Sequence, residues 1–296
     1  MRDRIALWKR IYDTDDNAIS KALSRLAWDL TAFTCVVEMV RRAPEDERGK
    51  RLNGMVLEML VSGFWSTTMQ GVRRLAERET IHGARGVCSL GGLIKDAREV
   101  RHRLTRRVFV EDIAGLEYDF KAVEERYWAY VFAQPPGPGG FFVPRELDSD
   151  APEQRHTVFN WLSGTTPDTA RPEDVIREEV FELLERRLAR LDGVVQHVNV
   201  EIAHAATEFS RTGRVLQQWN LSDAKDAIKE LAQIAQLVGE WLCFSGIGTV
   251  LPHPQFDQFA SLNQPLFSGD TQALQEVWDG LEREIGQWHD VDVQAL

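Results

Sequence analysis

The sequence predicts an all-α protein, a multi-helix bundle with a Pro/Gly-rich insertion between its two halves. The first observation is that apolar residues recur at alternating steps of three and four, which places them on one face of a helix. The second is that seven of the eleven prolines lie between Pro135 and Pro172, so long proline-free segments remain elsewhere in which helices can run uninterrupted. The third is that strand alternation and Asn-Gly turns are nearly absent.

Each predicted helix follows from its own apolar spacing. The first runs from about Ile19 to Val40. The second, over residues 52–75, is apolar around much of its circumference, so we predict that it lies centrally in the bundle. The clearest helix follows Pro172 and keeps its rhythm over four heptads through Phe181, Leu184, Leu188, Leu191, Val195, Val198, Ile202, Ala205 and Phe209. Further helices are predicted around 116–130, 228–242 and 274–288.

These elements divide the chain into three parts. Residues 1–133 form the N-terminal helices of the bundle, residues 134–172 form the Pro/Gly-rich loop insertion, and residues 173–296 form the C-terminal helices. Connections this long without helix periodicity are either functional or mobile. We expect one continuous bundle, with Phe141 and Phe142 holding the inserted loop to its surface.

Composition restricts the classes of function. A net charge of −11 argues against broad, sequence-blind binding of nucleic acid through its phosphates. No stretch approaches the roughly 20 apolar residues of a membrane span, and the start of the chain lacks the apolar run of a signal peptide. The three cysteines are too scattered for a disulfide framework. We therefore expect a cytoplasmic protein that does not contact a membrane.

One cationic run interrupts the acidic background between residues 95 and 107. Its members are Lys95, Arg98, Arg101, His102, Arg103, Arg106 and Arg107. One interpretation is a solvated helix face whose cations suit the negative end of the helix dipole. The other is a local patch that contacts phosphates.

A polar stripe carries the only candidate chemistry. His197, Glu201, His204 and Glu208 are four, three and four residues apart, so they stack on one face of the helix that follows Pro172. Two imidazoles and two carboxylates in one column can perform acid–base chemistry or hold a metal. The alternative is a solvated face with weak His–Glu pairs.

A metal site is the less favoured interpretation of this stripe. Glu201 and His204 have the Glu-x-x-His spacing of di-iron bundle proteins, and three other pairs share it: Glu79–His82, Glu99–His102 and Glu153–His156. The ligands of di-iron proteins point into the core, whereas His204 lies away from the apolar seam. Glycine-rich phosphate loops and a Gly-x-Ser-x-Gly elbow are also missing from the sequence. We therefore expect no metal and no cofactor.

The segment Gln196–Ala205 (Gln-His-Val-Asn-Val-Glu-Ile-Ala-His-Ala) resembles the signature helix of the HEPN superfamily. It is most similar to the abortive-infection subgroup of bacterial phage-defence proteins. The stretches from Phe64 to Leu75 and from Ser89 to Arg106 resemble the same subgroup, so the likeness covers about residues 15–245. It implies a helical bundle, usually a homodimer, whose paired motifs line a cleft.

Members of this family with the complete motif are metal-independent ribonucleases. The resemblance implies that a His acts as general acid or base on a ribose 2′-hydroxyl, while an Arg stabilises the developing phosphorane charge. That His maps onto His204 and the polar motif residue onto Asn199, and His197 and Glu201 are their neighbours. The motif Arg maps near Val198, where this chain has none.

The resulting hypothesis is an RNA-directed, HEPN-like protein of a bacterial defence or toxin-type system. Its phosphate contacts would come from Arg101, Arg103, Arg106 and Arg107, of which Arg101 and Arg106 are also candidates to replace the missing motif Arg. Endoribonuclease activity stays open because of that missing residue. The alternative is a non-enzymatic interaction or dimerisation module of the same fold. Its partner would be a second copy, an antitoxin or another defence-system protein, bound through the polar stripe, the Trp-rich faces or the 134–172 insertion.

Overall fold

A computed structural model describes residues 1–46, 49–50, 53–134, 142–198, 219–251, 253–260, 262, 264, 269 and 271–286. The prediction of an all-α protein is confirmed. Ten α-helices lie within these residues: α1 Arg2–Lys9, α2 Ile19–Arg42, α3 Gly54–Ala76, α4 Leu90–Glu99, α5 Phe120–Ala133, α6 Asp150–Ser163, α7 Glu178–Ala189, α8 Asp192–His197, α9 Leu221–Val238 and α10 Thr271–Gly286.

Shorter elements extend or connect these helices. Three are π-helical turns, at Arg10–Thr14, Val108–Ile113 and Gly239–Cys243, and three are 3-10 turns, at Gly83–Arg85, Arg101–Arg103 and Arg145–Leu147. Over the same described ranges, strand pairing is limited to β1 Glu45–Asp46 with β2 Gly49–Lys50, antiparallel, and one isolated bridge between Thr105 and Val175.

Short polar residues determine where several helices begin. The Asn220 side chain accepts the N–H of Asp223, whose carboxylate accepts the N–H of Asn220, and this reciprocal pair forms a capping box at α9. Ser89 Oγ accepts the N–H of Gly92 at the start of α4. Helix α6 ends at Gly164, whose φ of 73° is in the left-handed region that favours glycine. Local sequence chemistry therefore defines these helix ends.

The chain forms two compact units, Met1–Pro252 and His253–Leu296. The first unit has one large core to which α1, α2, α4, α6, α7 and α9 all contribute fully buried side chains, among them Trp8, Leu23, Ile94, Phe159, Phe181 and Leu231. The second contains α10, which exposes an apolar stripe made of Leu274, Val277, Trp278, Leu281 and Ile285. The two units divide at Pro252, away from both ends of the predicted insertion.

Part of the predicted 134–172 insertion, residues 150–163, is a core helix. Helix α6 lies inside that range, and its Phe159 and Leu162 are fully buried. Pro152 occupies the first turn of α6, where a proline is tolerated because its N–H has no intrahelical partner there. Phe142 is 80% exposed and does not hold the segment to the body, while Phe141 lies outside the described residues. The prediction of a surface loop is therefore corrected for 150–163.

Helix α3 is buried over only its second half. Phe64 and Leu75 belong to the core, whereas Met55 and Met59 are 55% and 68% exposed. The prediction that residues 52–75 lie centrally in the bundle is therefore wrong for the first half of this helix. Apolar periodicity showed that these residues need a partner, but it did not show where that partner lies.

The long helix predicted after Pro172 is interrupted. A turn at residues 190–191 separates α7 from α8. Leu191 remains buried in this turn, so the apolar rhythm continues across the interruption. Residues 199–218, including the rest of the predicted seam, lie outside the described ranges.

Two π-helical turns meet at Gly239. The hydroxyl of Tyr12 donates a hydrogen bond of 3.0 Å to the carbonyl oxygen of Ala235, one turn before Gly239. A Cβ added to Gly239 would lie 2.2 Å from Tyr12 Oη and 2.2 Å from the carbonyl oxygen of Ser245. The φ of Gly239 is −61°, which any residue adopts, so glycine is required here by the close approach of its neighbours.

Candidate functional site

The predicted acid–base stripe is described only at its first residue. His197 ends α8, which packs against α3. The His197 side chain is partly buried, and its Nδ1 is buried without a hydrogen-bond partner in the described part of the chain. Asn199, Glu201, His204 and Glu208 lie outside the described residues.

Helix α4 organises the best-described cluster of polar groups. Its first turn contains Gly91 and Gly92, which allow the helix to pack directly on the backbone that follows α3. A Cβ on Gly91 would lie 2.5 Å from the carbonyl oxygen of Glu77, and one on Gly92 would lie 2.6 Å from that of Glu79. This contact fixes the loop that carries His82 next to the helix.

The inner face of α4 carries a buried carboxylate with three partners. Asp96 is 5% exposed. It accepts a hydrogen bond of 2.7 Å from Trp8 Nε1 and lies 2.6 Å from His82 Nε2 and 3.4 Å from Arg4 Nε. Indole, imidazole and guanidinium groups together supply the hydrogen bonds that a buried carboxylate requires.

The cluster around Asp96 was not predicted. Sequence spacing had paired His82 with Glu79, but the structure places His82 against Asp96. The side chain of His82 is 43% exposed, and a carboxylate-bound imidazole with one open edge has the arrangement of an acid–base group. The nearest sequence signal was the Gly91–Gly92 pair, which indicates a close backbone approach at this end of α4.

The outer face of α4 forms ion pairs with α7. Arg98 donates to Glu178, 2.6 Å from Nε, and to Glu185, 2.5 Å from Nη1. Arg101 Nε lies 2.9 Å from Glu178 and its Nη1 donates to the carbonyl oxygen of Ile176. A groove of about 600 Å³ lies here, lined by Lys95, Arg98, Glu99, Arg101, His102, Glu178 and Glu185. The carboxylates of α7 therefore neutralise two cations of the predicted basic run.

Arg106 is a buried structural residue. It is 1% exposed. Its guanidinium donates to the side chains of Asn160, at 2.8 Å, and Thr165, at 2.6 Å, and forms an ion pair with Asp174 at 3.3 Å. Protein acceptors occupy both terminal nitrogens of the guanidinium, and the side chain is buried, so in this structure Arg106 cannot reach a phosphate or replace a motif arginine. The prediction of a phosphate contact is corrected for this residue.

The remaining cations of the run lie at the surface. Arg103 and Arg107 are exposed, as is His102 between α4 and Arg103. The Arg107 guanidinium lies over the ring of Tyr118 at 5.3 Å from its centroid, and its charge stays accessible. Of the four arginines predicted to contact phosphate, Arg103 and Arg107 are the two whose charge is neither buried nor paired with a described carboxylate.

A second buried arginine, which the sequence did not reveal, lies near Arg106. Arg155 stacks on Phe109 with its guanidinium carbon 3.4 Å from the ring centroid, and donates at 2.7 Å to the carbonyl oxygen of Glu240. Burial lowers the pKa of Arg155 to about 9. We favour the charged form over a neutral one, because both the aromatic face and the carbonyl stabilise a cation. Phe109 in turn packs on Phe159, on which Arg106 lies.

Two of the three cysteine thiols lie in environments that disfavour the thiolate. Burial raises the pKa of the Cys243 thiol to about 12 and also raises that of Cys88, so neither thiol is activated. Across the described ranges, no three His, Cys, Asp or Glu side chains converge as the ligands of a metal would.

Comparison of the chain with protein-family models, with curated proteins and with solved structures gave no match. Of the helices that the structure describes, none has both the length and the apolarity needed to span a membrane.

Proposed function

We propose that this chain is an RNA-directed, HEPN-like helical protein of a bacterial defence or toxin-type system. The observation that supports RNA contact most directly is the exposure of Arg103 and Arg107, close together in the chain, on a protein whose net charge is −11. The all-helical fold and the likeness of residues 196–205 to the HEPN signature add to this support. The partner in this proposal is single-stranded or structured RNA.

The cations of the run are not expected to contribute equally to RNA binding. Arg103 and Arg107 can neutralise phosphates without first breaking an ion pair, and this releases the counterions that drive such binding. Arg101 is 34% exposed but bound to Glu178, so an RNA phosphate would have to displace that carboxylate. We therefore expect most of the electrostatic contact from Arg103 and Arg107.

The test is RNA binding as a function of salt. In the double variant Arg103→Gln/Arg107→Gln we expect affinity to fall about tenfold and the slope of log K against log salt to become shallower by about 1.4, two phosphates at about 0.7 each. The control is Lys225→Gln/Arg283→Gln, which removes the same two charges from exposed positions elsewhere. Equal losses in the two double variants would show that the contact is not located at Arg103 and Arg107.

Cleavage of RNA is a separate part of the proposal. It assigns the acid–base role to His204, substrate orientation to Asn199, and supporting roles to His197 and Glu201. Total RNA and tRNA are incubated in excess EDTA with the wild type and with His204→Ala. Cleavage that persists in EDTA and is lost in the variant would support the assignment, and cleavage that is unchanged in the variant would exclude it.

A second candidate function is a non-enzymatic interaction module. It is favoured by an aromatic surface on α5, where Trp128 and Phe132 stack at 5.9 Å between ring centroids and are 47% and 80% exposed. On the same helix, the Tyr130 hydroxyl donates a hydrogen bond to the carbonyl oxygen of Phe142, which is 80% exposed. The RNA assay separates the two candidates, since an interaction module of this kind would neither bind nor cleave the RNA.

A further inference from the structure

Trp161, near the end of α6, presents an aromatic ring to solvent. It is 51% exposed, and its ring packs against that of Trp241 with 5.3 Å between the centroids and 39° between the planes. Trp241 is only 6% exposed, so it holds the indole of Trp161 from the protein side. A ring that is packed on one side and open on the other is a rigid apolar surface on which a second flat ring can stack.

An exposed arginine adjoins this tryptophan. Arg177 Nη2 donates to the carbonyl oxygen of Trp161 at 2.9 Å, and the backbone N–H of Arg177 donates to the carbonyl oxygen of Leu162, also at 2.9 Å. Arg177 is exposed and forms no ion pair within the part of the chain that the structure describes. Because a guanidinium carries five N–H donors, the bond to Trp161 leaves others for an anion. The structure therefore fixes a cation beside an aromatic surface.

The segment that carries Arg177 runs antiparallel to the cationic run. Thr105 and Val175 form an antiparallel bridge between the two. Arg103 and Arg107 each lie two residues from Thr105, and Arg177 lies two residues from Val175. The Cα atoms of these arginines are therefore at most about 20 Å apart. Three exposed arginines are thus within reach of one short strand of nucleic acid.

Carboxylates near Arg177 offset part of this positive charge. Asp174 and Glu178 are held in ion pairs by arginines. Glu173 and Glu179 are exposed and repel a phosphate that comes close. Charge alone therefore gives this surface only a modest attraction for RNA, and a further kind of contact is needed. Stacking of a base on an aromatic ring supplies one, because it does not depend on the net charge around the ring.

We propose that single-stranded RNA binds at this surface, with one base stacked on the open face of Trp161 and an adjacent phosphate bound by Arg177. Arg103 and Arg107 bind phosphates further along the same strand, so the contact rests on the proposed function and adds to it the form of RNA that is recognised. Trp161 is the residue that determines specificity, whereas the three arginines supply affinity without reading the bases.

Stacking on Trp161 selects unpaired bases. Inside a duplex each base already stacks on its neighbours, so its faces are closed to a protein side chain. An unpaired base in a single strand or a loop can turn outward onto an aromatic ring. Duplex RNA can therefore meet the arginines with its phosphates, but it cannot use Trp161.

The test measures the affinity of the full chain for oligo(A) of about 12 nucleotides and for an RNA duplex of the same length. Trp161→Ala should weaken single-strand binding about tenfold and leave the slope of log K against log salt unchanged, because stacking releases no counterions. Duplex binding should not change. The matched control is Trp128→Ala, at a 47% exposed position on α5, which should bind both RNAs as the wild type does.

Further variants separate stacking from folding and from charge. Trp161→Leu keeps an apolar side chain against Trp241 without a flat ring, whereas Trp161→Phe keeps a smaller ring. Single-strand affinity should fall with leucine and be largely retained with phenylalanine. Arg177→Gln should make the salt slope for single-stranded RNA shallower by about 0.7, and Lys225→Gln, at an exposed position on α9, should leave it unchanged.

Equal single-strand affinity in the wild type, Trp161→Ala and Trp161→Leu would overturn the stacking contact. The proposed function would still stand if Arg103→Gln/Arg107→Gln weakened binding in the same assay. A wild type that binds the duplex as tightly as oligo(A) would also overturn the stacking contact. A wild type that binds neither RNA would overturn the proposed function together with it.

Discussion

The indole of Trp8 donates a hydrogen bond of 2.7 Å to the buried carboxylate of Asp96. This contact joins α1 to α4 across 88 residues of sequence. Both side chains lie in the core, and the same carboxylate holds His82 and Arg4. One acidic residue therefore connects the start of the chain, a loop and a central helix.

We expect Trp8→Phe to lower the free energy of unfolding by about 1–3 kcal/mol, because it removes the indole N–H that donates to one oxygen of the buried Asp96 carboxylate. Urea unfolding followed by far-UV circular dichroism measures the change. The control is Trp128→Phe, at a 47% exposed position, where the change should stay below about 0.5 kcal/mol. If the two variants are equally stable, the Trp8–Asp96 bond contributes little to the fold.

Gly239→Ala should destabilise the first unit by about 3 kcal/mol, because the new Cβ overlaps the Tyr12 hydroxyl and the Ser245 carbonyl oxygen. Thermal unfolding measures the loss. The added Cβ would also lie 2.3 Å from the ring carbon Tyr12 Cζ, which a phenylalanine keeps, so Tyr12→Phe should not restore the lost stability. The control is Gly280→Ala, where the added Cβ meets nothing within 4 Å, and a melting temperature unchanged by Gly239→Ala would refute the close approach.

The Glu230–Arg187 pair should make stability depend on pH. Two hydrogen bonds from Arg187, of 2.6 and 3.1 Å, lower the pKa of Glu230 below its ordinary value of 4.5. A lowered folded-state pKa stabilises the protein above pH 4.5, and this contribution is lost as the pH falls through the folded-state pKa. We expect Glu230→Gln to cost about 1 kcal/mol at pH 7 and progressively less below pH 4.5.

The matched control for this pair is Glu117→Gln. The ion pair between Glu117 and Arg126 is about half exposed on both sides, so its loss should change stability by less than about 0.5 kcal/mol at any pH. Melting temperatures are compared at pH 7 and at steps down to pH 3. A cost of Glu230→Gln that is the same at every pH would contradict the assigned pKa shift.

The sequence predicted the helical class because apolar periodicity and the placement of prolines are local signals. It did not predict α6, because the prolines around that helix made its composition resemble a loop, although Pro152 fits in the first turn. It also missed the turn at 190–191, which contains neither glycine nor proline. Leu191 is buried and keeps the apolar spacing through the turn, so periodicity alone does not mark the break.

The candidate site was less predictable than the fold. Contacts of Asp96 join residues 14 and 88 positions apart, and no spacing rule connects such distant residues. The cationic run was visible, but its exposure was not: Arg106 is buried while Arg103 and Arg107 are exposed. The sequence shows which residues are charged, but the packing of the helices determines which of these side chains are exposed to solvent.

The segment at residues 164–177, between α6 and α7, contains no helix. Hydrogen bonds and an ion pair nevertheless hold it to neighbouring residues along its length. The N–H of Arg106 donates to the carbonyl oxygen of Asp174 at 2.8 Å, and that of Arg177 donates to the carbonyl oxygen of Leu162 at 2.9 Å. The guanidinium of Arg106 also binds Thr165 and Asp174. A stretch that has the composition of a linker is thus a poor place to split the gene into two fragments or to insert a fluorescent domain. Either change would separate the buried Arg106 guanidinium from Thr165 and Asp174, which form its hydrogen bonds and ion pair.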